Sequence, residues 1–494
     1  MRHPKETIVK RLAAILLWIL ACCASARAQE WPTATPESQG MESVVLAAIV
    51  DYGAEKMMDS LLIMRNGRIV TEVYYAPYRA SMKHRINSAT KGILGAVTGI
   101  AIARRDLPPT TTPLAKLIPA VGAIGDARWN AVTVQHLLDM TSGLDWNEPL
   151  SGAPQTLLAL QRSPNWQDFI LARRVVREPG TKFDYNTGNA HLLSIALARR
   201  TGMSTDAYAR KVLFEPLGIR DIRWLKDPQG VAVGGFGLYM HTRDMARIGQ
   251  LYLQRGAWNG RQLVPRDWVE RVFAPKTDMD LPGFRYADFW WSLPARHTYM
   301  MSGFGRQLVM VMPELDLVVA TTGRGNYALE EFIQLVQRAA SSSVPLPENA
   351  DMQARLRART EAAADGFAVM PGEPVKPSLT QGSFRLDDNP AGVREFSFDF
   401  TAHPPRYRTL TGARELVAPV GLEGRFAEGN DEGRPLFTRA TWRDPNTLLV
   451  EQRWPEEAAW VHSLIRFSGN ELEITTANGF GMVSVVKGRR SAAE

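Results

Sequence analysis

The chain has 494 residues, 45% of them hydrophobic and 22% charged, with two cysteines and a formal net charge of +7. That composition excludes collagen-like, disordered and coiled-coil chains, and the length calls for two or three domains rather than one. A basic balance points to nucleic acid only where the charges cluster with aromatic residues, and no such run occurs.

Much of the positive excess sits at the start. Arg2, Lys5, Lys10 and Arg11 precede the apolar run 12–24 (LAAILLWILACCA), and Ala26-Arg27-Ala28 ends it. A charged start, a short apolar core and an A-x-A end predict an export signal cut after Ala28. The apolar core is too short for a comfortable permanent span. Ile19-Leu20-Ala21-Cys22 loosely resembles a lipobox, so a lipoprotein is the less favoured variant of the same expectation of a periplasmic or secreted protein. The segment holds both cysteines, Cys22 and Cys23, together with five basic residues and one acidic. The remaining chain would therefore carry a charge of +3, with no disulfide and no thiol nucleophile. Beyond residue 28 no run of 18 apolar residues occurs, so no transmembrane helix is expected.

Residues 43–56 have apolar positions at helical spacing. Two strands follow, joined by Asn66-Gly67, a pair that tolerates the positive φ of a tight hairpin turn. A helix is predicted from Ser88 to about Ala103, with Ile93, Leu94, Val97, Ile100 and Ala101 on one side. The stretch 105–285 reads as mainly helical, broken by Pro and Gly loops. Strands return at 297–303, 306–312 and 316–322, and a helix at 327–340 closes the region. Early strands, a helical insertion and late strands place both chain ends in one antiparallel sheet. Residues 341–350 read as a linker, followed by a charged helix over 350–365. From about 380, short alternating segments separated by turn signals predict an all-β unit of about eight strands, a barrel or a sandwich.

The strongest chemical signal is Ile86-Asn87-Ser88-Ala89-Thr90-Lys91-Gly92. Ser-x-x-Lys at a helix start puts both side chains on one face, about 5–6 Å apart at Cβ. A serine hydroxyl needs a base within hydrogen-bond reach, and Lys91 can serve if its amine is neutral. The spacing alone is weak, because Ser484-Val485-Val486-Lys487 repeats it on a strand, where residues three apart face opposite ways. A second element is Phe183-Asp184-Tyr185-Asn186-Thr187-Gly188, just before another helical stretch. A phenol beside an ammonium can act as general base or acid. No Gly-x-Ser-x-Gly occurs, and GGFGLYM at 234–240 lacks the strand–helix setting and lysine of a phosphate loop. The histidines beyond the export signal (His84, His136, His191, His241, His297, His403, His462) show no metal-ligand spacing, so neither metal nor cofactor is expected. Phe289-Trp290-Trp291 reads as core, with cleft lining as its alternative.

Taken together, these stretches resemble the serine β-lactamase and penicillin-binding-protein superfamily, in its class C-like branch of esterases, D-amino-acid peptidases and 6-aminohexanoate-oligomer hydrolases. The likeness runs through 31–340, including HRINSATKGILGAVTGIAI, VTVQHLLDMTSGLDW, FDYNTGNAHLLSIAL and GFGRQLVMVMPELDLVV. It implies an α+β fold: a β-lactamase-like catalytic domain over 29–343, an antiparallel sheet with a helical insertion. A linker with a helix over 344–375 and an all-β antiparallel barrel or sandwich over 376–490 would follow. By the likeness Ser88 is the acylated nucleophile, Lys91 its proton partner and Tyr185 the base for the incoming or leaving group. Two departures stand out. The branch often has Tyr-x-Asn where this chain has Thr187. The third box, a cation then a small residue then glycine, is replaced by either Met301-Ser302-Gly303 or His297-Thr298-Tyr299. The former is preferred, because Gly303 admits close approach and Phe304 N–H can complete an oxyanion pair with Ser88 N–H. Met301 then stands where a cation would bind a substrate carboxylate. This favours a small neutral ester or amide as substrate over a β-lactam or D-amino-acid peptide. The rival from another class is a catalytically silent homologue that binds ligands through the same cleft.

Overall fold

In the computed structural model the described residues are 31–150, 152–366, 375–422, 424–479 and 481–491. The export signal expected over 1–28 lies outside them. Among them no helix is long and apolar enough to cross a membrane.

The helix Ser43–Glu55 leads into β1 (Met58–Arg65), which turns at Asn66-Gly67, both at positive φ, into β2 (Arg68–Tyr74). The short β3 (His84–Arg85) pairs with β5 (Leu238–Met240), which pairs in turn with β4 (Arg223–Trp224). A separate hairpin follows, β6 (Ala257–Trp258) with β7 (Arg261–Gln262). Then come β8 (Thr277–Asp278), β9 (Arg285–Ala287), β10 (Trp290–Leu293), β11 (Thr298–Gly303), β12 (Gln307–Met312) and β13 (Leu317–Gly323). The main sheet runs β2-β1-β13-β12-β11-β10-β9-β8, antiparallel throughout, so the first two strands join the late ones across the helical insertion. Every residue of β1, β12 and β13 is buried, which requires cover on both faces. The helix Thr242–Leu253 packs over β12 and β13, while Ser43–Glu55 packs with Leu329–Ala339 and Ala350–Asp365. The stretch read as mainly helical thus also supplies β4 and β5 of the small sheet and the outer strand β8, and β9 and β10 follow at its end, before the strand expected at 297. Those strands are two to four residues long, too short to register as periodicity.

The C-terminal part is a second antiparallel sheet with a core of its own, built on Phe384, Phe396, Phe398, Leu448, Ile465 and Phe467. Its strands are β14 (Gln381–Leu386), β15 (Val393–Asp399), β16 (Arg406–Thr411), β17 (Arg414–Pro419), β18 (Ala427–Asp431), β19 (Arg434–Asp444), β20 (Thr447–Trp454), β21 (Ala459–Ser468), β22 (Glu471–Asn478) and β23 (Val483–Arg490). The order β17-β16-β15-β14-β23-β22-β21-β20-β19-β18 curls until β17 and β18 lie side by side, a near-barrel. Ten strands replace the expected eight or so. The clearest addition, β17, is an edge strand with one buried residue that ends at Pro419, so it carries little apolar alternation. Phe437 of β19 packs with Tyr78 and Met82, joining the two units.

Candidate active site

The predicted helix does not begin at Ser88. Asn87–Ala89 form a 3₁₀ turn, and the α-helix Thr90–Ala103 follows it. Asn87 stands at φ +46, a left-handed conformation that asparagine tolerates better than most residues. The turn is tied on both sides: Ile86 N–H donates to Leu238 O at 2.9 Å, and Asn87 Nδ2 donates to Phe304 O at 2.8 Å. Lys91 follows on the first helical turn with its side chain 1% exposed.

Lys91 Nζ has three oxygen partners: Ser88 Oγ at 3.1 Å, Thr187 Oγ1 at 3.0 Å and Gly235 O at 2.8 Å. They are not equivalent. Gly235 O is a carbonyl and can only accept. The Thr187 hydroxyl donates its proton to Glu148 Oε1 at 2.6 Å, so toward Lys91 it too can only accept. Ser88 is the one partner able to donate to the nitrogen. The arrangement therefore directs two N–H bonds away from the serine and leaves the nitrogen's remaining position facing Oγ.

Glu148 was not singled out by sequence reasoning. It comes from the TSGLDWNEPL loop, is buried, and accepts three bonds: from the Thr187 hydroxyl, from Thr187 N–H at 2.8 Å and from Trp146 Nε1 at 2.7 Å. An acidic residue in a Pro/Gly-rich loop, with Asp145 three positions before it, gives no signal in the sequence. Gly235 was passed over because its contribution is a carbonyl. A Cβ there would lie 2.5 Å from Thr187 Cγ2 and 3.3 Å from Lys91 Nζ, so only glycine fits.

Tyr185 lies just ahead of the helix Thr187–Thr201, whose N-cap is Asn186. Its ring centroid is 4.8 Å from Lys91 Nζ, a cation–π distance. Trp291 meets that ring edge-on at a centroid distance of 6.4 Å and contacts Phe284. Of the aromatic triplet, Phe289 and Trp290 are core, whereas the partly buried Trp291 belongs to this wall.

The third-box region separates the two alternatives. A Cβ on Gly303 would lie 2.3 Å from Ile86 O and 3.1 Å from Ser88 N, so β11 meets the serine turn at Gly303. His297 sits at the opposite end of that six-residue strand, about 20 Å away at 3.3 Å per residue, exposed and paired with Glu314. Met301 is buried against the helix: a Cβ on Gly92 would come within 2.4 Å of its side chain. The β11–β12 hairpin tip, Phe304-Gly305-Arg306, is fixed by Gln307. The Gln307 amide donates to Phe304 O at 3.0 Å and to Gly323 O at 2.7 Å, and accepts from Gly323 N–H at 3.1 Å. The Phe304 side chain itself is exposed. Among the described residues no group of three or more His, Cys, Asp or Glu could hold a metal ion.

A half-buried serine bonded to a buried lysine three residues on, with a tyrosine beside them, set between an antiparallel sheet and a helical region, defines the class of serine-dependent penicillin-recognising folds. The Beta-lactamase family profile matches residues 48–341, and the chain belongs to that family. It is 25% identical over 233 residues to the 6-aminohexanoate-dimer hydrolase of Paenarthrobacter ureafaciens, covering 44% of this chain and 58% of that one. It is 28% identical over 167 residues to esterase EstB of Burkholderia gladioli, covering 32% and 42%. The match thus spans less than two thirds of either relative. A Bacillus anthracis structure provisionally described as a 6-aminohexanoate-dimer hydrolase superposes with TM-score 0.55 at 18% identity, over 65% of this chain and 90% of that one. The hydrolase EstCE1, described as having promiscuous acyltransferase activity, gives 0.51 at 15% identity, over 61% and 99%. These superpositions establish the β-lactamase-like fold.

Proposed function

We propose that the protein is an exported serine hydrolase that cleaves a small neutral ester or amide through an acyl-enzyme on Ser88. The observation that carries this reading is the 3.1 Å contact between Lys91 Nζ and Ser88 Oγ, with the amine's other two partners able only to accept. Ser88 Oγ attacks the substrate carbonyl carbon as its proton passes to Lys91. The carbonyl π pair moves onto oxygen, and the N–H groups of Ser88 and Phe304 hold that oxyanion. The oxyanion collapses, the C–O or C–N bond breaks, and the leaving group takes a proton through Tyr185 and Lys91. Water then adds to the ester carbonyl with Tyr185 as base relaying its proton to Lys91, and as the adduct collapses the bond to Ser88 Oγ breaks and Lys91 returns that proton to the serine. A buried thioether at the third box supplies no cation for a substrate carboxylate, which supports neutral substrates over β-lactams. The aromatic wall of Tyr185 and Trp291 suits an apolar acyl or alkyl portion. Relatives named as an esterase and as an amide-dimer hydrolase support both bond types.

The test is labelling with a fluorophosphonate probe, followed by turnover of p-nitrophenyl esters, linear amide dimers and nitrocefin. Labelled wild type, unlabelled Ser88→Ala and turnover of esters or amides support the reading. No label on folded wild type, or equal label on Ser88→Ala, refutes it, and strong nitrocefin turnover refutes the preference for neutral substrates. Export is tested by fractionation, which should recover a chain beginning at Gln29 outside the cytoplasm.

A further inference from the structure

The C-terminal near-barrel lies beyond the family match, yet it touches the catalytic unit at the strand that delivers the nucleophile. The contact is made by the turn Pro455–Glu457 between β20 and β21. In the three-stranded sheet Arg85 of β3 is the cross-strand partner of Tyr239 of β5, and Arg223 of β4 partners Tyr239 from the other side. Partners in antiparallel pairs share a face, so Arg85, Tyr239 and Arg223 form one row across the sheet. Glu457 caps that row. Its Oε1 accepts from Arg223 Nη2 at 2.8 Å, and its Oε2 accepts from the Tyr239 hydroxyl and lies 3.9 Å from Arg85 Nη1. The neighbouring Glu456 Oε1 accepts from Lys83 N–H at 3.3 Å.

Both halves of the Ser–Lys pair hang from this row. Ser88 is three residues beyond Arg85, joined through Ile86, whose N–H bonds to Leu238 O. Gly235, whose carbonyl holds Lys91, is four residues before Tyr239 on the segment entering β5. Phe236 between them lies under the Arg85 guanidinium at 5.4 Å. Without Glu457, the two arginine cations flanking Tyr239 would lose the carboxylate that faces them both, leaving Glu456 acting on Arg223, and strands of only two and three residues have few ladder bonds to resist the repulsion.

We propose that the C-terminal domain braces the active site in cis, with Glu457 as a positioning residue that fixes β3 and β5 and thereby sets Ser88 Oγ and the Gly235 carbonyl against Lys91. This rests on the serine-hydrolase reading above. The test compares full-length wild type with Glu457→Ala, Glu457→Gln and Glu428→Gln. The last removes the Arg79–Glu428 ion pair, which lies on the same interface but away from the serine strand. Glu457→Ala is expected to lower kcat on a p-nitrophenyl ester roughly tenfold with KM within about twofold, the scale of a sub-ångström misplacement. The fluorophosphonate labelling rate should fall in parallel. Glu457→Gln, which keeps one acceptor oxygen, should lie between wild type and Glu457→Ala, and Glu428→Gln should match wild type. Amide hydrogen exchange in peptides covering 83–91 and 233–241 should accelerate in Glu457→Ala. Wild-type kcat in Glu457→Ala, equal losses in Glu457→Ala and Glu428→Gln, or unchanged exchange in those peptides would overturn the proposal. If Glu457→Ala does not fold, Arg223→Gln loosens the same row from the catalytic side and is read the same way. Should folded wild type take no label, the serine reading fails on its own, and the exchange result still decides whether Glu457 holds the strands.

Discussion

The Thr187–Glu148 link gives the sharpest test of how Lys91 is directed. Thr187→Val keeps the side-chain shape while removing an acceptor for Lys91 and a donor to Glu148. Glu148→Gln keeps the length but cannot reproduce three accepted bonds. With its amide oxygen facing the two N–H donors of Thr187 and Trp146, its NH₂ points at the Thr187 hydroxyl, whose proton is then left without an acceptor and can turn toward Lys91. Hydrogen bonds to charged groups contribute about 1.5–3 kcal/mol each, so each single variant should lose roughly 10- to 100-fold in kcat/KM. Because both act through one hydroxyl, the second substitution should add little to the first. A double-mutant cycle on an ester substrate should return a coupling of about 1.5–3 kcal/mol, nearly the whole effect of either single variant, with urea unfolding run alongside to confirm that all four proteins are folded. Effects that add to within about 0.5 kcal/mol would show that the two residues act independently, and the directed-proton account of Lys91 would be wrong.

Three further outcomes follow from the same geometry. Gly303→Ala places a Cβ 2.3 Å from Ile86 O, which must push β11 off the serine turn; stability should fall by about 1–3 kcal/mol and labelling of Ser88 should slow. Asp288 is buried away from water, which with help from nearby Asp139 pushes its carboxyl up to about 6 despite the opposing Arg271 ion pair. A folded-state value above the unfolded one means stability is present below about pH 4 and lost as pH rises toward 6, so Asp288→Asn should stabilise at pH 8 by up to about 3 kcal/mol and not at pH 4. Equal melting shifts at both pH values would contradict that. Asp59 behaves oppositely: although burial opposes its ionisation, the buried Arg324 guanidinium and the His84 ring hold its carboxyl down to about 2. Its contribution is present above about pH 4 and lost as pH falls toward 2, so Asp59→Asn should lower the melting temperature at pH 7 by more than at pH 3.

The fold was legible where elements are long or bounded by a clear turn signal. The Asn66-Gly67 hairpin, the helix after Ser88 and the alternating strands β20 and β21 each run over seven or more residues. It was illegible in the three-stranded sheet, because two residues such as His84-Arg85 have no period to detect. Their strand character comes from pairing with residues about 150 positions away.

The site divides along a similar line, and the division has a chemical cause. Ser88 and Lys91 were readable because one helical turn fixes their spacing, so local sequence implies proximity. Gly303 was readable for a related reason: a glycine before a tight turn signals that something approaches the backbone, and here that neighbour is Ser88 N. The residues that give the lysine its direction leave no such trace. Gly235 acts through a carbonyl that every residue possesses, and its identity matters only because a Cβ would strike Thr187. Glu148 acts through a hydroxyl rather than on the reacting atoms, so its role exists only once its loop, the start of the helix Thr187–Thr201 and the helix Thr90–Ala103 have met. Thr187 stands where the family often has asparagine. Paired with Glu148 it is a different means of fixing a donor direction: the asparagine amide has separate donor and acceptor ends, whereas a hydroxyl needs a neighbouring anion to decide which way its proton points. On this account a chain of this kind can keep threonine there only while it keeps a carboxylate within reach of it.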